Sequence, residues 1–140
     1  METNVKYSES FYDAKRLKQW ALRYLTKLPS DVHTLVSTGS SGVAIASAMM
    51  ALSERPLTHW HVRKGGESAH DSHGGSYVKH RPKYCFVDDF ISEGYTLEYV
   101  YAECETYEMP LSYVLVGHLE GKLAVELPPI KIIYVAPRKT

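Results

Sequence analysis

The sequence predicts an α/β fold, a mainly parallel, twisted sheet with helices on both faces. Short runs of strand-forming residues alternate along the chain with stretches of helical periodicity, which is the pattern of a parallel sheet built from crossover units. Two of those runs end in polar turns that open directly into helices, so both turns are expected on the same edge of the sheet. A length of 140 residues fits a single domain over residues 1–140.

Residues 10–28 carry Leu17, Trp20, Ala21, Tyr24, Leu25 and Leu28 at helical spacing, with Lys15, Arg16, Lys18, Gln19 and Arg23 opposite. This is an amphipathic helix whose apolar stripe faces the sheet, with Ser10 the expected N-cap and Pro29 the stop. Residues 32–37 read as a strand. Thr38, Gly39, Ser40, Ser41 and Gly42 form the turn after it, and residues 43–52 an alanine-rich helix. Small turn residues let the backbone approach a ligand, and their N–H groups bind anions at a helix start. The same turn would serve equally as a plain strand-to-helix connection. Ala44, Ala46, Ala48 and Ala51 serve close helix packing.

Residues 57–62 read as the next strand, ending at Arg63 and Lys64. The composition then turns to Gly, Ser, His and Asp, with Gly65-Gly66 and Gly74-Gly75 as hinges. A flexible loop is expected at about residues 64–78, a lid or a disordered segment. His70 and His73 within it fit a solvated loop, a phosphate contact or a metal pair, and no cysteine or further histidine has the spacing of a zinc site. Residues 83–87 form a strand running into Asp88 and Asp89, and residues 96–107 a helix. Residues 111–117 are apolar enough for a strand buried on both faces, with His118 at its carboxyl end as a ligand contact or, more simply, a turn residue. Residues 121–127 fit a short strand or turn, and residues 130–135 a last strand before a basic tail.

Basic and acidic residues balance at 16 each, which removes any general pull toward nucleic acid or membrane. No apolar run approaches the roughly 18 residues of a membrane span, and residues 1–10 lack the apolar core of a signal peptide. A cytoplasmic protein is expected. Cys85 and Cys104 read as core thiols, one on a strand and one on a helix.

The chemistry concentrates in residues 84–96, where a buried strand meets two adjacent carboxylates and a turn containing Ser92, Glu93, Gly94, Tyr95 and Thr96 leads into a helix. The first N–H groups of a helix lack intrahelical partners and the helix dipole favours negative charge there, so phosphate is the expected guest. Two acids beside it suit a ligand with hydroxyls or Mg2+. The plain alternative is a solvated turn and helix cap.

The run FVDD-FI-SEGYT resembles the signature of the type I phosphoribosyltransferases: a hydrophobic run, two acids, two hydrophobic residues, a small residue, then Thr-Gly-x-Thr. Glu93 stands where that pattern has its first Thr. The segment from Val62 to Gly75 is similar to the orotate phosphoribosyltransferases, with Arg63-Lys64 at a strand end and His73-Gly74-Gly75 closing the loop, while the further loop lysine of those proteins is missing. The resemblance implies that Asp88 and Asp89 contact the ribose hydroxyls of phosphoribosyl pyrophosphate. It places the 5′-phosphate on Ser92, Glu93, Gly94, Tyr95 and Thr96, and the pyrophosphate on Thr38, Gly39, Ser40, Ser41, Gly42, Arg63, Lys64 and His73. Asp88, Asp89 and Lys64 would act in catalysis, with Mg2+ arriving on the substrate.

The implied activity is transfer of the phosphoribosyl group to a nucleobase with release of pyrophosphate, in a possible homodimer. The base-selecting hood would come from the N-terminal helix and the chain after His118, with Tyr95 or Tyr134 as a stacking aromatic. The other reading is a non-catalytic member of the same fold that binds a nucleotide or sugar phosphate in a regulatory role, which Glu93 and the missing lysine favour.

Overall fold

A computed structural model describes residues 13–63, 73–75 and 83–136. Helix α1 spans Ala14–Lys27, strand β1 Val32–Ser37, α2 Gly39–Leu52 and β2 Thr58–Val62. The chain continues with β3 His73–Gly75, β4 Lys83–Val87, β5 Phe90–Ile91 and α3 Tyr95–Thr106. Strands β6 Leu111–Val116, β7 His118–Leu119 and β8 Lys131–Tyr134 follow.

The six-stranded main sheet has the order β3-β2-β1-β4-β6-β8. Strands β2, β1, β4, β6 and β8 pair in parallel and β3 is antiparallel to β2. The expected mainly parallel α/β architecture is therefore the one observed. Period-2 alternation divides β4 between two cores. Cys85 and Val87 face α1 and α2, with Tyr24, Ile45 and Met49, while Tyr84 and Phe86 face α3, with Leu97, Val100 and Cys104. Both cysteines are buried free thiols. Burial pushes the Cys104 thiol up to about 12, and Cys85 further, so neither is a ready nucleophile.

Four local expectations change. The N-cap of α1 is Asp13, not Ser10, which lies outside the described residues; the Asp13 carboxylate accepts from the amides of Lys15 and Arg16 at 2.9 and 3.2 Å. Gly39 to Gly42 are the first turn of α2 rather than a turn before it. His118 is not a turn residue. It pairs with Phe90 in a two-stranded parallel sheet, because Gly117 lets β6 bend toward the turn after β4. Within the expected loop, residues 73–75 form a strand, since two glycines set against His61 and Trp60 let the backbone pair closely. The rest of residues 64–78 lies outside the described residues.

Candidate functional site

From β1 the chain crosses outward to β2, and from β4 it crosses the opposite way to β6, so the point between β1 and β4 is where strand order reverses. Open α/β sheets bind ligands in the crevice outside the carboxyl ends of the strands at such a point. Both candidate turns lie there. Their contact is direct: a Cβ on Gly42 would stand 3.1 Å from the Val87 carbonyl oxygen, 3.2 Å from Ser37 Cβ and 3.7 Å from Asp88 Oδ1. Gly42 thus lets the start of α2 lie against the end of β4, joining the 38–42 and 88–96 segments.

The acidic turn is held from several sides. Asp88 donates its amide to the Leu115 carbonyl at 3.2 Å, and its carbonyl accepts the Tyr24 hydroxyl at 2.6 Å. The Asp89 carbonyl accepts the Gly117 amide at 2.8 Å, an approach open only to glycine, because a Cβ at 117 would sit 2.6 Å from that oxygen. Asp88 Oδ1 accepts the Asp89 amide and Asp89 Oδ1 the Phe90 amide, each at 2.9 Å, which orients both half-buried carboxylates. Burial and then the charges of Asp88 and Asp89 hold the Tyr24 phenol well above its ordinary value, so it stays a donor. Sequence reasoning counted Tyr24 only in the apolar stripe. A hydroxyl on the sheet-facing side of a helix, requiring a polar partner once buried, was the available signal.

A recess of about 280 Å³ is lined by Phe86 and the run 88–97. That size lies just under the usual range of small-molecule clefts. Ser92, Glu93, Gly94, Tyr95 and Thr96 all line it, with Ser92, Glu93 and Tyr95 exposed. Gly94 is the N-cap of α3 at φ +99°, buried against Val125 and Leu127, and it offers no side chain to the first helical amides. The N-cap of α2, Thr38, likewise makes no side-chain cap bond, and its Oγ1 is buried without a hydrogen-bond partner. Helix α1, which does not start at this crevice, is capped by Asp13. Among the described helices, the two whose starts face the crevice are the two left uncapped.

Around the rim, residues 120–127 lean on the turn: Glu120 donates its amide to the Ile91 carbonyl at 2.7 Å and Ala124 to that of Glu93 at 2.8 Å. Phe90 and His118 face each other at 5.8 Å between ring centroids, and His118 Nε2 lies 3.1 Å from Glu120 Oε2. Tyr95 is 54% exposed at this rim, while Tyr134 packs against the core on the α3 side. Arg63 follows the end of β2, its carbonyl accepting from the Tyr99 hydroxyl at 3.2 Å. Lys64, His70 and the His73 side chain lie outside the described residues, so their expected places at the crevice stay expectations.

The backbone also resembles solved structures. Orotate phosphoribosyltransferase from Francisella tularensis superposes with a TM-score of 0.63 at 18% identity, over 76% of this chain and 54% of that one. The orotate phosphoribosyltransferase of Aeropyrum pernix gives 0.61 at 19%, over 89% and 76%. The fold is that of the type I phosphoribosyltransferases. A third structure of this fold, the Mycobacterium tuberculosis orotate phosphoribosyltransferase in complex with 5-phospho-α-D-ribosyl 1-diphosphate, gives 0.60 at 16%, over 82% and 75%. This chain therefore spans little more than half the length of the Francisella protein. No family profile and no curated protein matches the sequence.

Proposed function

We propose that this protein binds phosphoribosyl pyrophosphate with Mg2+ and transfers the phosphoribosyl group to a nucleobase, releasing pyrophosphate. The observation that carries the reading is the pair of uncapped helix starts flanking an acidic pair at the switch point of the sheet. The first-turn amides of α3, with Ser92 and Thr96, hold the 5′-phosphate, while Asp88 and Asp89 take the ribose hydroxyls. The 38–42 segment, Arg63, Lys64 and His73 hold the pyrophosphate. Negative charge grows on the leaving pyrophosphate as positive charge grows on the ribose, so donors fixed around one and carboxylates beside the other lower the barrier.

Among the described residues no three His, Cys, Asp or Glu side chains gather as a metal site. Two carboxylates nevertheless fit Mg2+, which usually binds through one or two carboxylates plus substrate phosphates. The ion supplies charge neutralisation to the leaving group. A homodimer located in the cytoplasm completes this reading.

The exposed Glu93 carboxylate at the phosphate recess favours a second reading, a regulatory protein that keeps the fold and takes a nucleotide or a less phosphorylated sugar. Calorimetric titration with phosphoribosyl pyrophosphate and Mg2+ separates the two. Wild type binds in the first reading, the double variant Asp88→Asn/Asp89→Asn loses at least about tenfold in affinity, and Glu93→Thr gains several-fold by removing a like charge. No binding to wild type at millimolar ligand sinks the first reading and moves the search to nucleosides and other sugar phosphates.

A further inference from the structure

Beneath the start of α2, the last residue of β1 meets two histidines of β2. Ser37 is fully buried, and its Oγ lies 2.6 Å from His59 Nε2 and 3.4 Å from His61 Nδ1. The two rings are 6.3 Å apart, both half-buried, on the face of the sheet that α2 covers. The close approach of Gly42 to Ser37 Cβ puts the first turn of α2 directly over this cluster. Next in the chain is Thr38, whose buried hydroxyl has no partner.

We propose that Ser37 and His59, with His61 beside them, make anion binding at the 38–42 segment proton-coupled: a phosphate group seated there draws a proton from solvent onto His59. The inference rests on the reading of this segment as the pyrophosphate subsite. Its basis is the surroundings of His59 among the described residues. Helix α2 carries no ionisable residue, β1 contributes the Ser37 hydroxyl, and the backbone of β3 runs beside His61 and Val62. The described charged groups nearest the start of α2 are Asp88, whose Oδ1 stands 3.7 Å from a Cβ on Gly42, and Arg63, which follows the end of β2. Burial, and then repulsion from His61, lowers the His59 pKa from its ordinary value. An anion over the cluster reverses that balance, and by linkage each bound proton then strengthens the anion's hold.

The hydrogen bond supplies the route. With His59 Nε2 unprotonated, the Ser37 hydroxyl donates to it. Once Nε2 carries a proton, it donates to Ser37 Oγ, and the serine's own hydrogen is released to rotate toward another acceptor. One proton enters from solvent, and one donor is freed next to Thr38.

The test is calorimetric titration of the full chain with inorganic pyrophosphate and Mg2+, in two buffers of different ionisation enthalpy, on wild type and on His59→Gln/His61→Gln. Protonation of the ligand itself is common to both proteins and cancels in their difference. We expect wild type to take up more protons than the variant. Its dissociation constant should also weaken by about fivefold to tenfold more than the variant's between about pH 6 and pH 8. Imidazole NMR titration of wild type with and without pyrophosphate covers the case of a variant that does not fold, and the His59 midpoint should rise with ligand.

Equal proton uptake in the two proteins, unmoved midpoints, or no pyrophosphate binding by wild type overturns the proposal. Phosphoribosyl pyrophosphate binding that depends on Asp88 and Asp89, without histidine-linked uptake, leaves the proposed function standing and removes this inference. Linked uptake with pyrophosphate but no binding of phosphoribosyl pyrophosphate does the reverse.

Discussion

At the scale of single residues, Tyr24 ties the first helix to the acidic turn. Its hydroxyl is the donor to the Asp88 carbonyl, and burial together with the neighbouring carboxylates keeps it protonated. Tyr24→Phe removes that donor while keeping the ring in the core. The expected loss is about 1 kcal/mol of stability, because a half-buried carbonyl is left with one partner fewer. Chemical denaturation measures it, and an unchanged midpoint would mean that the turn is held without the tyrosine. Asp88 and Asp89 were legible in the sequence because acids at the end of an apolar strand are conspicuous. Tyr24 was not, because helical periodicity reports which side of a helix is buried and says nothing about where a phenol's hydroxyl ends.

At the scale of elements, the site depends on close approaches that only glycine permits. The bend between β6 and β7 brings the Gly117 amide to the Asp89 carbonyl, and a methyl group there would collide with that oxygen. Gly117→Ala is expected to cost about 1–3 kcal/mol, as for other overpacking changes, and to displace the acidic turn. Thermal unfolding reads the first effect and phosphoribosyl pyrophosphate affinity the second; a variant with wild-type affinity would show that the turn tolerates displacement. Strands β1 and β4 were read from the sequence at their observed limits, since each is a short run rich in strand-forming residues that ends in a polar turn. The β5–β7 pair was missed because two-residue strands carry no periodicity, and their pairing is set by how distant segments dock.

At the scale of the whole molecule, balanced composition conceals separated charge. Helix α1 carries Lys15, Arg16, Lys18, Arg23 and Lys27 without an acid, and α3 carries Glu98, Glu103 and Glu105 without a base, on opposite faces of the sheet. His59 contributes a pH dependence to stability. Its native pKa lies below the unfolded value of 6.5, so between the two the unfolded chain binds a proton that the native protein refuses. The His59 contribution to stability is therefore complete above about pH 6.5 and is lost as pH drops through that interval. Melting temperatures measured from pH 7.5 down to 5 should show this fall, and His59→Gln should flatten it; a parallel slope in the variant would assign the fall to other groups. The contacts of the acidic turn also impose an order in time. Asp88 is anchored by a residue made early, Tyr24, and one made late, Leu115, and Asp89 by another made late, Gly117, so a chain still emerging from the ribosome cannot yet possess the pocket. The formed recess is for this protein a certificate that synthesis has passed residue 117 and that α1 and the end of β6 have closed around the turn.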